Sequence, residues 1–298
     1  MSSSSDVIQG FAPGKLILSG EHAVVFGHLA IAIAVDRGTT VTLTARSGPT
    51  RIEHADIHDD RLQQAVDALL PAQGLSVGIT TNLPVGRGMG SSAALSVALV
   101  RADAARQGRI ATFDECVERG FIAERIFHGD PSGVDHTVSA LGGGVLYRKG
   151  QPVQPISPPA LRLVVMDTGE AGDTRALVAG VARLPDAVER LDQIGSLTEQ
   201  IAEMLTEPEL DHASLGALLT ENHRHLQGVG VSTPGLDALV DAACQAGALG
   251  AKLAGAGGGG VAIALIDEDA APVIEAANRL GCDAFEVGVA PTSDCATQ

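Results

Sequence analysis

The segment Asn82-Leu83-Pro84-Val85-Gly86-Arg87-Gly88-Met89-Gly90-Ser91-Ser92-Ala93-Ala94 limits what this chain can become more than any other stretch of it. Residues 75–81 ahead of it have strand character, and residues 92–107 behind it are rich in Ala, Leu and Val and read as helix. Glycines 86, 88 and 90 allow positive φ and a close backbone approach to a bound group. A helix starting at Ser91 and Ser92 leaves unpaired N–H groups and a partial positive charge facing the loop. Strand, glycine loop and helix in that order make a cradle for phosphate; the alternative is a tight strand-to-helix turn capped by serine. The loop is not a Walker A loop, because no lysine follows the last glycine, so a cation for the phosphate has to come from elsewhere.

Charge makes that requirement stricter. Lys plus Arg number 20 against 36 Asp plus Glu, a formal net charge of −16. Such a field repels polyanions and argues against a nucleic-acid partner. A phosphate ligand must then be held by local amides, a helix N-terminus and a few placed cations. The 298 residues suffice for two lobes sharing a cleft. With six Phe, one Tyr and no Trp, the core has to come from Val, Leu, Ile and Ala. No apolar run approaches ~18 residues, and the serine tract from Met1 to Asp6 has no basic region, so the reading is of a cytoplasmic protein. Cys116, Cys244, Cys282 and Cys295 lie far apart, as isolated thiols do, with no C-x-x-C pair.

Along the chain, residues 15–18, 29–35, 39–45, 75–81 and 145–148 read as strands. Residues 61–70, 92–107, 113–127 (interrupted at Gly120) and 131–141 read as helices. Residues 149–159 carry four prolines and read as the boundary between a first domain, 1–155, and a second, 156–298. The second opens with a strand at 161–166, continues with helices at 174–184, 187–205, 213–226 and 234–246, then a strand pair at 250–253 and 261–266. A last helix and strand fall within 271–287. This predicts α+β with an antiparallel sheet.

Several single residues carry chemical weight. Lys15 sits inside an otherwise apolar strand, where an ammonium is either a snorkelling edge residue or a fixed cation for a carboxylate and a migrating phosphoryl group. Glu21 and His22 follow a Ser19-Gly20 turn and could face the same cleft. Glu124 lies on the helical stripe of Phe113, Val117 and Phe121, which a helix normally buries. A carboxylate there needs a cation, either an arginine or Mg²⁺, which prefers one or two protein oxygens plus phosphate. His128-Gly129-Asp130-Pro131-Ser132-Gly133-Val134-Asp135 adds a turn, a helix start and an inward-capable Asp135, with Asp130 as a turn or cap residue. The run Ala254–Gly260 matches G-x-G-x-x-G at Gly255, Gly257 and Gly260, but it stands between two strands, which argues against a dinucleotide site. It reads instead as a flexible glycine hairpin near the nucleotide or as a structural hairpin.

Taken together, APGKLILSGEHAVVFG, PVGRGMGSSAA, HGDPSGVD and KLAGAGGGG resemble the motifs of the GHMP kinase superfamily, most closely of its mevalonate kinase branch. DTGEAGDTRALVAGV and VGVSTPGLDALVDAACQAGALGAKL extend the likeness over nearly the whole chain. The resemblance implies a two-lobe GHMP kinase fold, α+β, with an N-terminal lobe like ribosomal protein S5 domain 2 and a ferredoxin-like C-terminal lobe. It implies an ATP- and Mg²⁺-dependent transfer of phosphate to the C5 hydroxyl of (R)-mevalonate, a step of isoprenoid biosynthesis, in a homodimer. By position, Asp135 would be the base or orienting carboxylate and Lys15 its cationic partner. Ser92 and Glu124 would hold Mg²⁺, and Pro84, Gly86, Arg87, Gly88, Met89, Gly90, Ser91, Ser92 and Ala93 would wrap the ATP phosphates. Glu21, His22, Thr174 and Gly257 would contact or orient the substrate. Met89 replaces a leucine common in the motif, and Arg87 a small residue; Arg87 either adds a phosphate contact or points to solvent. The alternatives are a sibling kinase for phosphomevalonate, homoserine or a sugar, and a silent ATP- or metabolite-sensing module.

Overall fold

The computed structural model describes residues 7–129 and 133–292. Met1 to Asp6, Asp130, Pro131, Ser132 and Cys295, each given a reading above, lie outside the described residues. The first half folds as a sheet of β1 (Ile8–Ser19), β2 (Leu29–Pro49), β3 (Arg51–Ala55), β4 (Gln73–Thr81), β5 (Gly144–Arg148) and β6 (Gln154–Ile156). Its helices are α1 (Leu62–Leu69), α2 (Ser91–Arg106), α3 (Phe113–His128) and α4 (Val134–Leu141). The spine is β2, which pairs antiparallel with β1 along one edge and with β4 and β5 along the other.

Beyond an edge strand, β3, that the sequence reading did not contain, three features depart from it. The strands expected at 29–35 and 39–45 are one, because Asp36-Arg37-Gly38 continues the strand instead of turning it. Glycine is required at 38 by close approach: a Cβ there would lie 2.1 Å from the Ala12 carbonyl oxygen of β1. Helix α3 runs unbroken through Gly120, which packs at ordinary distance under Val97 and His136. The proline-rich stretch contains a short strand, β6, which adds to the first sheet beside β5.

The second half is built from β7 (Arg162–Asp167), α5 (Thr174–Val181), α6 (Ala187–Met204), α7 (His212–Gly228), α8 (Pro234–Gln245), β8 (Gly250–Ala254), β9 (Val261–Ile266), α9 (Ala271–Arg279) and β10 (Asp283–Gly288). The sheet order is β10-β7-β9-β8 and every pairing is antiparallel, the arrangement expected of a ferredoxin-like lobe. Leu16, Leu18, Ile31 and Ile33 of the first sheet share one apolar cluster with Leu163, Val165, Ile263 and Leu265 of the second and with Leu197, Ile201, Leu215 and Leu219 of α6 and α7. The two lobes are therefore joined through a common core. The chain closes the joint again where Val289 bridges to Val35 and Ala290 exchanges backbone bonds with Ala34 and Gly143. Among the described cysteines Cys116 is buried and Cys244 and Cys282 are half-buried, all without disulfides.

Candidate active site

The register of β1 slips between Pro13 and Lys15, opposite Gly38 and Ala34, and this irregularity sets the lysine apart from its apolar neighbours. Its backbone N–H donates to the Met89 carbonyl (2.9 Å), tying the strand to the glycine loop. Gly90, at φ 70°, is glycine for a reason of space: a Cβ would come within 2.9 Å of Lys15 Cγ. The lysine stem is thus threaded beneath the loop, 6% exposed, and its Nζ meets Asp135 Oδ1 at 3.1 Å. Asp135 stands in the first turn of α4, where the helix dipole favours a carboxylate, and its side chain keeps 40% of its surface open.

Above this pair, Gly86, Gly88 and Gly90 all take positive φ, and α2 begins directly after them. Neither serine caps that helix; Gly90 is its N-cap, and among the described residues it has no side-chain cap bond. A capped turn was the alternative, so the amides of the first turn remain available to an anion. Met89 is fully buried beneath the loop. Pro84, Ser91 and Ser92 are half-buried and Ala93 is buried at the helix start.

Glu124 reaches the same place from α3. It is 1% exposed, its Oε1 has no hydrogen-bond partner among the described residues, and its Oε2 lies 4.0 Å from His128 Nε2. Burial pushes its carboxyl up to about 7; the Asp135 charge adds to the rise, and Ser92, Lys15 and Ser96 offset part of it. Ser92 Oγ lies 2.9 Å from His128 Nε2. An orphaned carboxylate oxygen beside a hydroxyl and an open helix N-terminus is the donor set that a hard cation shared with phosphate oxygens would satisfy.

The turn after β1 forms a second cluster. His22 has φ 61° and ψ −48°, the one non-glycine residue at positive φ among those described, and Ala23 N–H donates to Glu21 O at 2.7 Å across it. This is a γ-turn of the strained kind, costing roughly 1–3 kcal/mol. The His22 ring is held by Nε2 against the Ala256 carbonyl (2.8 Å), while its Nδ1 is buried without a hydrogen-bond partner among the described residues. Burial lowers the His22 pKa, against the raising effects of the Ala256 bond and the Glu21 charge. Glu21 does not face the cleft. Its side chain is 1% exposed, Oε1 is bound by Lys252 Nζ, and Oε2 accepts from Asn222 Nδ2 at 3.4 Å.

The remaining sequence-derived residues are placed as follows. Gly257, at φ 79°, has no room for a Cβ, which would lie 2.1 Å from the Val231 carbonyl oxygen; the neighbouring Gly258 N–H donates to that oxygen. The hairpin is packed rather than loose, with Gly172 pressed on its other side. Thr174 is exposed at the start of α5, behind the Asp173 cap. Arg87 points neither to solvent nor into its own loop: Nε lies 3.3 Å from Asp167 Oδ1 and Nη2 donates to the Gly169 carbonyl at 2.6 Å. Lys15, Asp135, Glu124 and Ser92 come together, with the glycine loop above them, whereas Glu21 is withdrawn from contact. Sequence reading overlooked His128 and Lys252. His128 was legible as part of the HGDPSGVD segment; Lys252 gave no signal, being one polar position in a short strand.

The same architecture recurs among known proteins. Residues 60–143 match the family profile "GHMP kinases N terminal domain" and residues 197–284 match "GHMP kinases C terminal". The mevalonate kinase of Thermococcus sibiricus is 36% identical over 308 aligned positions, covering 91% of this chain and 92% of that protein. A crystal structure of the L. major mevalonate kinase in complex with R-mevalonate superposes with a TM-score of 0.83 at 28% identity, covering 95% of this chain and 96% of that one. The Methanococcus jannaschii mevalonate kinase structure superposes with a TM-score of 0.84 over 97% of this chain and 99% of that one; at 24% identity it speaks to the fold.

Proposed function

The chain belongs to the GHMP kinase family, an ATP-dependent small-molecule kinase by that membership, and on this premise we propose that it transfers the γ-phosphoryl group of ATP to the C5 hydroxyl of (R)-mevalonate. The choice of acceptor rests on the 36% identity to a mevalonate kinase over nine-tenths of the chain. The chemistry rests on one observation, the 3.1 Å pair of Lys15 and Asp135 beside the unpartnered oxygen of Glu124.

The acceptor hydroxyl would donate to Asp135, which orients it and takes up its proton as the new O–P bond forms. The bond from the γ-phosphorus to the bridging oxygen breaks, and ADP leaves with that electron pair. Lys15, held against Asp135, supplies positive charge to the phosphoryl group in flight. Little covalent work is left to the protein, so positioning and charge neutralisation carry the rate. The amides of residues 86–92 and the N-terminus of α2 would take the triphosphate, with Pro84, Met89 and Ala93 shaping the loop from below. Ser92 and Glu124 would hold Mg²⁺, which when bound shields the phosphate oxygens. His22, its Nε2 spent on Ala256, keeps a buried Nδ1 that would accept a substrate hydroxyl only once the substrate displaces what covers it, and Gly257 would bring backbone to the substrate. Thr174 would meet the substrate only through movement of α5.

In this reading residues 1–155 form the ATP-binding domain and 156–298 the second domain, and the protein works as a cytoplasmic homodimer. No helix among the described residues is long and apolar enough to cross a membrane. ADP release measured with mevalonate, phosphomevalonate, homoserine and galactose in turn tests the proposal. Turnover is expected with mevalonate; preference for another acceptor would reassign the substrate, and no turnover with any would favour a sensing module.

A further inference from the structure

Lys252 is the largest fully buried side chain among the described residues, 0% exposed in the middle of β8, and the phosphoryl-transfer chemistry above makes no use of it. An ammonium this deep persists only when paired. Its Nζ donates to Glu21 Oε1 and to the Leu253 carbonyl. Asn222 of α7 donates to the other Glu21 oxygen and to Ser19 Oγ (3.1 Å), and Ser19 Oγ in turn lies 2.8 Å from Thr198 Oγ1 of α6. The carboxylate that follows β1 of the first lobe is thus gripped by two elements of the second, β8 and α7, while α6 holds the neighbouring Ser19. The grip falls on the residue next to His22, whose backbone is strained and whose ring is held from the far side by Ala256, two residues past the strand that carries Lys252. A strained turn lasts only where its surroundings over-determine it. Here they do so from both flanks, through Glu21 on one side and the imidazole on the other.

We propose that Lys252, Glu21 and Asn222 are positioning residues: this buried cluster locks the γ-turn at His22 across the lobe joint and thereby sets the imidazole on the acceptor side of the cleft. Glu21 then serves the acceptor without touching it. The kinetic part of this inference rests on the kinase reading above; the conformational part does not.

Single replacement of Glu21 or Lys252 strands a buried charge and is expected to impair folding, so the informative protein is the double variant Glu21→Gln/Lys252→Met, which removes both charges. It is expected to melt near the wild type while raising KM for mevalonate on the order of 10-fold, with KM for ATP unchanged, because misplacement acts on one substrate. Asn222→Ala, which leaves the ion pair in place, is expected to raise the same KM by a smaller factor and serves if the double variant does not fold. Adding His22→Ala to either should raise KM no further than His22→Ala does alone, since the cluster acts through that ring. Unchanged KM for mevalonate in a folded variant, or effects that simply multiply with His22→Ala, would overturn the proposal. ¹⁵N spectra of the histidine rings give an arm independent of substrate. His22 is expected as a single Nε2–H tautomer in the wild type and as an averaged one in the folded variant. A fixed tautomer in both would refute the lock even if mevalonate proved the wrong acceptor.

Discussion

Replacing Glu124 by glutamine is expected to stabilise the metal-free protein at alkaline pH while removing its activity. The carboxyl is 1% exposed and its pKa is pushed up from 4.5 to about 7, chiefly by burial. In the unfolded chain the proton leaves near 4.5, so between there and about 7 the native state holds a proton that the unfolded state has lost. Stability therefore falls as pH rises through that window and is level above it. At ~1.36 kcal/mol for each pH unit, the gap amounts to about 3 kcal/mol. Glutamine has nearly the same shape and no charge to bury, so it escapes this cost. Urea denaturation of both proteins in EDTA measures it: near-equal stability at pH 5, and a variant more stable by about 2–3 kcal/mol at pH 8. Because both proteins share every other titrating group, the change in their difference isolates Glu124. A gap that is the same at both pH values, or a wild type more stable at pH 8, would refute the reasoning. Sacrifice of stability for a buried carboxylate is the trade expected if Glu124 holds Mg²⁺ as proposed.

Glu115, bound by Arg109 and then Arg119, has its carboxyl lowered to about 2, so its contribution is full above about pH 4.5 and is lost as pH falls through about 2. Glu115→Gln should cost about 1–2 kcal/mol in urea denaturation at pH 7, with the difference from wild type shrinking at pH 2 to 3. Arg87 ties the glycine loop to Asp167 in the other lobe, and removing either side chain should loosen the loop. Arg87→Ala and Asp167→Asn are each expected to raise KM for ATP by about fivefold, the equivalent of ~1 kcal/mol, without adding in the double variant. Full additivity in that cycle would show that the two act separately.

What could be read from the sequence followed from local rules. The glycine loop between a strand and a helix, the lysine in an apolar strand and the carboxylate on a helical stripe are each anomalies against their own neighbours, visible without knowing the fold. Lys252 was hidden because its partner Glu21 lies 231 positions away and because KLA before a glycine run resembles an ordinary alternating strand. The buried fate of Glu21 was hidden for the same reason. Gly38 looked like a turn because glycine after Asp-Arg usually is one; only the passage of β1 at 2.1 Å from the missing Cβ explains it. The β3 strand was missed because RIEHA is an exposed edge segment with no alternation to detect. Arg87 could have been a phosphate ligand or a solvent residue by its position in the loop, and its contact with Asp167 depends on a lobe arrangement that no local rule contains.

The most direct trial of the catalytic assignment is the single-turnover rate of phosphate transfer from ATP to mevalonate, measured by rapid quench in the wild type, Asp135→Ala and Lys15→Met. Both variants should transfer phosphate on the order of 10²–10⁴ times more slowly, the range for loss of a positioned acid–base group, while binding ATP within about twofold of the wild type. A transfer rate close to that of the wild type in either variant would contradict the assignment.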